Sequence, residues 1–119
     1  MKTNNRQTGF LAENLAAEAL LKKGYEIIER NYANRFGEID IIAKVNSMLV
    51  FVEVKAKKGI DFGLPEEMIT AYKLKRVQNM ATIYMKGEIL ACRIDVVAIV
   101  FSQNNEVTSL THYENVSLV

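Results

Sequence analysis

The stretch from Gly37 to Lys57 constrains the fold more than any other part of the chain. Two runs, Gly37 to Val45 and Met48 to Lys57, alternate charged or polar residues with Val, Ile and Ala, and only Asn46-Ser47 separates them. Alternation with a period of two is the signature of a half-buried strand, and a two-residue connection makes the pair an antiparallel hairpin. If Val45 faces Met48, then Ile42 faces Phe51, Asp40 faces Glu53 and Glu38 faces Lys55. Ile39, Ile41, Ala43, Val50, Val52 and Val54 fall on one face, a core pattern; Glu38, Asp40, Glu53 and Lys55 share the other.

Directly opposed residues have Cβ atoms about 4.5–5.5 Å apart, so Asp40 opposite Glu53 is repulsive unless a cation lies between them. Mg²⁺ takes oxygen ligands and commonly uses one or two carboxylates with water and phosphate. Lys55, two residues beyond Glu53, could orient an attacking water or stabilise charge on a phosphate. The bland reading is a solvated outer face laced with ion pairs. It fits less well here, because Ile42, Leu49 and Phe51 share the charged face and imply that it is partly covered.

The remaining elements surround this hairpin. A helix is expected from Gln7 to Lys23, stopped by Gly24. Tyr25 to Tyr32 reads as a strand and Lys58 to Leu64 as a loop. A second helix is expected from Pro65 to Lys86. Ile89 to Phe101 is an apolar strand, and Glu106 to Tyr113 a weaker one. The order αβββαββ closes as a sheet with helices packed on it, and the passage from third to fourth strand through a helix makes the sheet mixed. On the first helix, Asn14, Glu18 and Lys22 form a narrow polar stripe, while Glu13 lies in the apolar arc beside Ala16, Ala17 and Leu20. Glu13 could form a structural ion pair or be a third carboxylate facing Asp40 and Glu53. The second helix has Ile69, Tyr72, Val77, Met80, Ile83 and Tyr84 on its apolar face, with Lys73 and Arg76 on the same side. These two cations could snorkel to water or lean toward the charged site.

The 119 residues make a single domain, 1–119, with 1–7 polar and frayed. Half the residues are hydrophobic and 24% charged, which excludes a disordered tail, and no apolar run approaches a membrane span. Fifteen Lys and Arg against 14 Asp and Glu leave a net charge of +1, so a nucleic-acid partner is not implied by bulk charge. The one cysteine, Cys92, fits a reducing cytoplasm, alternates with Ile94 and Val96, and is expected in the core. His112, the only histidine, supports no histidine base or zinc site. Asp95, in the apolar strand, is expected to pair with Lys73, Arg76 or Arg93.

Taken in order, Gly9 and Glu13, Arg30-Asn31, Phe36-GEIDIIA-Ala43, LVFVEVK from Leu49 to Lys55, Ile69-Thr70 with Lys73 and Arg76, and Arg93-Ile94-Asp95-Val96-Val97 resemble the YraN-like family of uncharacterised bacterial proteins. That family is similar to archaeal Holliday junction resolvases, within the PD-(D/E)XK nuclease superfamily. The resemblance implies a restriction-endonuclease-like mixed sheet flanked by helices. It makes Asp40, Glu53 and Glu13 ligands of Mg²⁺ or Mn²⁺ and Lys55 the accompanying catalytic lysine; Glu38, on the same strand face, is a candidate outer partner. Lys57, Lys73 and Arg76 become candidates for nucleic-acid contact. The implied activity is phosphodiester hydrolysis in DNA, including branched DNA, with RNA as a further substrate class and a homodimer expected for junctions. The alternative is a binding module that keeps the fold without cleaving. Three positions depart from the pattern: Ala12 stands for a glycine, Lys57 for an arginine, and Ile39 for the proline before the first acid.

Overall fold

The computed structural model describes residues 5–61, 63–88 and 90–117. Helix α1 (Asn5–Lys22) is followed by strands β1 (Glu26–Asn34), β2 (Gly37–Val45) and β3 (Met48–Lys58). A short 3-10 turn (Pro65–Met68) leads to helix α2 (Ala71–Tyr84), then β4 (Cys92–Phe101) and β5 (Val107–Tyr113). The five strands form one sheet in the order β1-β2-β3-β4-β5. All neighbours are antiparallel except β3 and β4, which run parallel and are joined through α2. This is the restriction-endonuclease-like arrangement of a mixed sheet between helices. Among the described residues, no helix is long and apolar enough to cross a membrane.

Local chemistry explains the boundaries. α1 ends in a Schellman motif: the Tyr25 N–H donates to the Leu20 carbonyl at 3.0 Å and the Gly24 N–H to Leu21 at 3.0 Å. Gly24 takes φ +90°, which glycine adopts without a Cβ penalty. Asn46 and Ser47 have φ of 48° and 66°, the two positive angles of a type I′ hairpin turn. The second helix is shorter than expected. The backbone leaves the helical path at Ile69, and Thr70 caps α2 by accepting the Lys73 N–H at 3.2 Å. Of residues 1–7, expected to be frayed, 1–4 lie outside the described residues and 5–7 begin α1. Ile89, expected to open the fourth strand, also lies outside them; β4 starts at Cys92.

Two cores sandwich the sheet. Ala12, Ala16, Ala17 and Leu20 of α1 pack with Ile41, Ala43, Val50, Val52, Val97 and Ile99. Leu74, Val77, Met80 and Ala81 of α2 pack with Ile39, Ile42, Phe51 and Ile94. The small alanines let α1 lie close to the sheet. Three expected core positions are corrected. Cys92 is exposed, because it is the first residue of β4 and sits at the rim of the sheet. Tyr72 and Ile83 are exposed rather than turned to the core. α2 needs only a narrow stripe of Leu74, Val77, Met80 and Ala81 to cover the sheet.

Candidate metal centre at the sheet fork

The β2–β3 pairing follows the expected register from Val45↔Met48 to Ile41↔Val52 and stops there. β2 stays paired with β1 as far as Asn34↔Gly37, and β3 with β4 as far as Lys58↔Phe101. The sheet therefore forks just where Asp40 would meet Glu53. The expected ladder pairs Asp40–Glu53 and Glu38–Lys55 do not form. Instead, Asp40 Oδ2 accepts the Val54 N–H at 2.8 Å, so a side chain takes the place of a ladder carbonyl.

Strict alternation also fails at the fork. Ile39 and Ile42, an odd and an even residue, both pack on the α2 side. The expectation that Ile39 shares a face with Ile41 is thus corrected. The change coincides with Asn31 of β1, which sits beside this bend with φ 55°. Asparagine tolerates that left-handed conformation better than most residues.

The fork opens into a cleft of about 720 Å³ whose lining includes Glu13, Glu38, Asp40, Glu53, Lys55 and Arg76. Six of the eight residues singled out from the sequence therefore come together. Glu13 is not in a salt bridge among the described residues. With its amide nitrogen facing the two carboxylates, Asn31 donates to Glu13 Oε1 at 2.7 Å and Glu38 Oε1 at 2.9 Å. That orientation is set by the hydrogen-bond network. Lys73 does not line the cleft, yet its charge and that of Arg76 both act on Glu53. Lys57 is directed elsewhere, reaching the Gly63 carbonyl at 3.5 Å and tying down the loop before the 3-10 turn.

The cleft gathers carboxyl groups that hold their protons more tightly than usual. Burial pushes the Glu53 carboxyl up to about 7, and the Asp40 charge adds to this against Lys55, Arg76 and Lys73. Burial also raises Asp40, offset in part by the Val54 N–H and Lys55. Glu13 is raised by burial and then by Asp40, with Arg30 opposing. Glu53 is only 7% exposed and accepts no hydrogen bond from another described residue. A largely buried carboxylate in that position is stabilised by a proton, by a cation or by water entering the cleft. An all-carboxylate donor set of this kind fits a hard divalent ion such as Mg²⁺ or Mn²⁺.

A second acidic group offers a contrast. Asp95, His112 and Glu114 have donor atoms within 4.8 Å of one another, the one such trio of His, Cys, Asp or Glu among the described residues. The carboxylates of the cleft are spread more widely. Asp95, however, is already satisfied: it accepts from Arg93 Nε at 2.9 Å, the Asn115 N–H at 3.0 Å and His112 Nε2 at 2.8 Å. Burial alone would raise Asp95, but these hydrogen bonds hold it below the usual carboxylate range. The expected pairing of Asp95 with Arg93 is present. His112, unassigned from sequence, bridges Asp95 and Lys23, whose Nζ lies 2.8 Å from Nδ1. This network ties the turn after α1 to β4 and β5.

A family model described as "Uncharacterised protein family UPF0102" matches residues 12–99. A UPF0102 protein of Dictyoglomus turgidum is 39% identical over 115 residues, covering 94% of this chain and 98% of that protein. One of Lachnoclostridium phytofermentans is 45% identical over 98 residues, covering 79% and 83% respectively. The chain belongs to the UPF0102 (YraN-like) family. The matched span of this UPF0102 chain includes Glu13, Asn31, Glu38, Asp40, Glu53, Lys55, Lys73 and Arg76, and so contains every charged residue of the cleft; Thr8 and Gly9, which also line it, precede the span. Sequence reading missed Asn31 as a functional residue. Two signals were available, the place of Arg30-Asn31 among the family motifs and an asparagine inside a strand-like run, where left-handed backbone is the usual reason for it.

Proposed function

We propose that this protein is a metal-dependent endonuclease that hydrolyses phosphodiester bonds in DNA, branched DNA included. The observation that carries this reading is Glu53: buried, raised to about 7, and without a hydrogen-bond partner among the described residues beside a second raised carboxylate. Glu13, Asp40 and Glu53 would hold the Mg²⁺ or Mn²⁺. Such an ion polarises the phosphate and lowers the pKa of bound water. The chain's own groups do the rest. Lys55, on the same cleft, donates from Nζ to the attacking water or to a phosphate oxygen. Arg76, with Lys73 behind it, supplies positive charge to the nucleic-acid backbone. Asn31 fixes Glu13 and Glu38, so that the ligand side of the cleft is preorganised.

The test is cleavage of linear, nicked, flapped and four-way DNA, and of RNA, with Mg²⁺ or Mn²⁺. Asp40→Ala and Glu53→Ala are expected to abolish cleavage while keeping the wild-type circular dichroism. Failure of the wild type on every substrate would contradict the reading. One observation favours a non-catalytic binding module instead: the net charge of +1, low for a nucleic-acid enzyme. Calorimetric titration distinguishes the two, since a module without a metal site takes up no Mn²⁺ in the millimolar range.

A further inference from the structure

Beside the cleft, the turn between β1 and β2 and the outer face of α2 enclose a notch of about 370 Å³. It is lined by Phe36, Tyr72, Lys75, Arg76, Asn79 and Ile83. Two aromatic rings there face solvent: Phe36 is 53% exposed and Tyr72 75% exposed. Exposed aromatics gathered in one hollow of a small domain are unusual and mark binding surfaces. Neither ring is needed for the core, which α2 closes with Leu74, Val77, Met80 and Ala81.

The rim of the notch is basic. The Arg35 guanidinium lies over the Phe36 ring at 4.9 Å from its centroid. Lys75 and Arg76 lie one turn beyond Tyr72 along α2, and among the described residues no acidic one lines the hollow. Arg76 belongs to both the notch and the metal cleft, so the two are continuous. Phe36 is also held in place: Asn34 Oδ1 accepts the Phe36 N–H at 2.8 Å. The next residue, Gly37, lies in van der Waals range of the Arg76 stem, 3.6 Å from Arg76 Cδ to where a Cβ would stand.

Aromatic faces with cations around them, one step from a site for a scissile phosphate, match a nucleotide whose base is unstacked. Such a base stacks on rings regardless of sequence, while its phosphates meet the basic rim. A paired base inside a duplex presents no free face to them. We infer that the Phe36–Tyr72 notch seats an unpaired base next to the cleaved phosphate. The preferred substrate is then DNA at a boundary between duplex and single strand, rather than continuous duplex. This inference rests on the nuclease reading of the adjoining cleft.

The test uses full-length protein and DNA carrying 2-aminopurine at the unpaired position of a flap, with a matched continuous duplex as control. Binding is measured with Ca²⁺ in place of Mg²⁺. Preferential binding of the flap, quenching of 2-aminopurine, and a loss of flap affinity of about tenfold in Tyr72→Ala or Phe36→Ala would support the inference. Tyr72→Phe should retain wild-type affinity, because the ring and not the hydroxyl carries the contact. Lys75→Ala should lower the salt dependence of binding by about one counterion for either DNA. Equal affinity for flap and duplex, with both alanine variants unchanged, would overturn the notch inference and leave the nuclease reading intact. No binding and no cleavage of any DNA by the wild type would overturn the nuclease reading, and the notch with it. Loss of self-association in Tyr72→Ala, with DNA affinity unchanged, would assign the notch to a protein contact and also overturn it.

Discussion

At the scale of single residues, Glu53 dominates the energetics of the cleft. Its carboxyl binds a proton more tightly in the folded chain than in the unfolded one, because burial comes first and Asp40 second. Its contribution to stability is therefore fully present below about pH 4.5 and is lost as pH rises through about 7. In metal-free protein, Glu53→Gln removes the uncompensated charge. It should raise the melting temperature at pH 8 by several degrees, worth about 1–3 kcal/mol, and change it little at pH 5. The same variant should lose metal-dependent cleavage. Thermal melts at the two pH values check this, and a destabilised Glu53→Gln at pH 8 would count against it. Asn31 is the complementary case, a residue in left-handed backbone that holds Glu13 and Glu38. Asn31→Ala should cost about 1–2 kcal/mol in denaturant unfolding, through lost hydrogen bonds and backbone strain together.

At the scale of elements, the fork between β2 and β3 makes the site. The hairpin, its turn and its register near the turn were all legible, because alternation and a two-residue loop leave little freedom. Glu13, Asp40, Glu53 and Lys55 were legible as charges in places where burial makes charge expensive. The fork itself was not. A period-two pattern continues on paper through Asp40, whereas the real strand bends there and gives the Val54 N–H to a carboxylate. Alternation therefore wrongly kept Ile39 with Ile41. The Asp95–His112–Lys23 network was hidden for a different reason, since its members lie 17 and 89 residues apart in sequence. At the mouth of the fork, Gly37 takes φ +147°, and a Cβ there would come within 3.2 Å of Met80 Sδ. Gly37→Ala should destabilise the fold by about 1–3 kcal/mol in denaturant unfolding.

At the scale of the whole molecule, a net charge of +1 conceals a segregated surface. Glu13, Glu38, Asp40 and Glu53 converge on the cleft, and Lys73, Lys75 and Arg76 lie along one helix beside it. A divalent ion held in the cleft, as proposed, would make the face offered to phosphate more positive than the total suggests and would stabilise the fold by mass action. At pH 8, Mn²⁺ at about a hundred times its dissociation constant should stabilise the protein by about 2.7 kcal/mol in thermal melts. The gain should vanish in Asp40→Ala. His112→Ala should lower the melting temperature and leave the metal-induced rise in place, because His112 serves the separate Asp95 network.

Two groups of acidic residues compete for that role, and a single experiment separates them. Crystals soaked in Mn²⁺ should show anomalous density in the fork, bounded by Glu13, Asp40 and Glu53, with none at Asp95, His112 and Glu114. Density at the Asp95 group alone, or at neither, would contradict the metal centre on which the functional account stands.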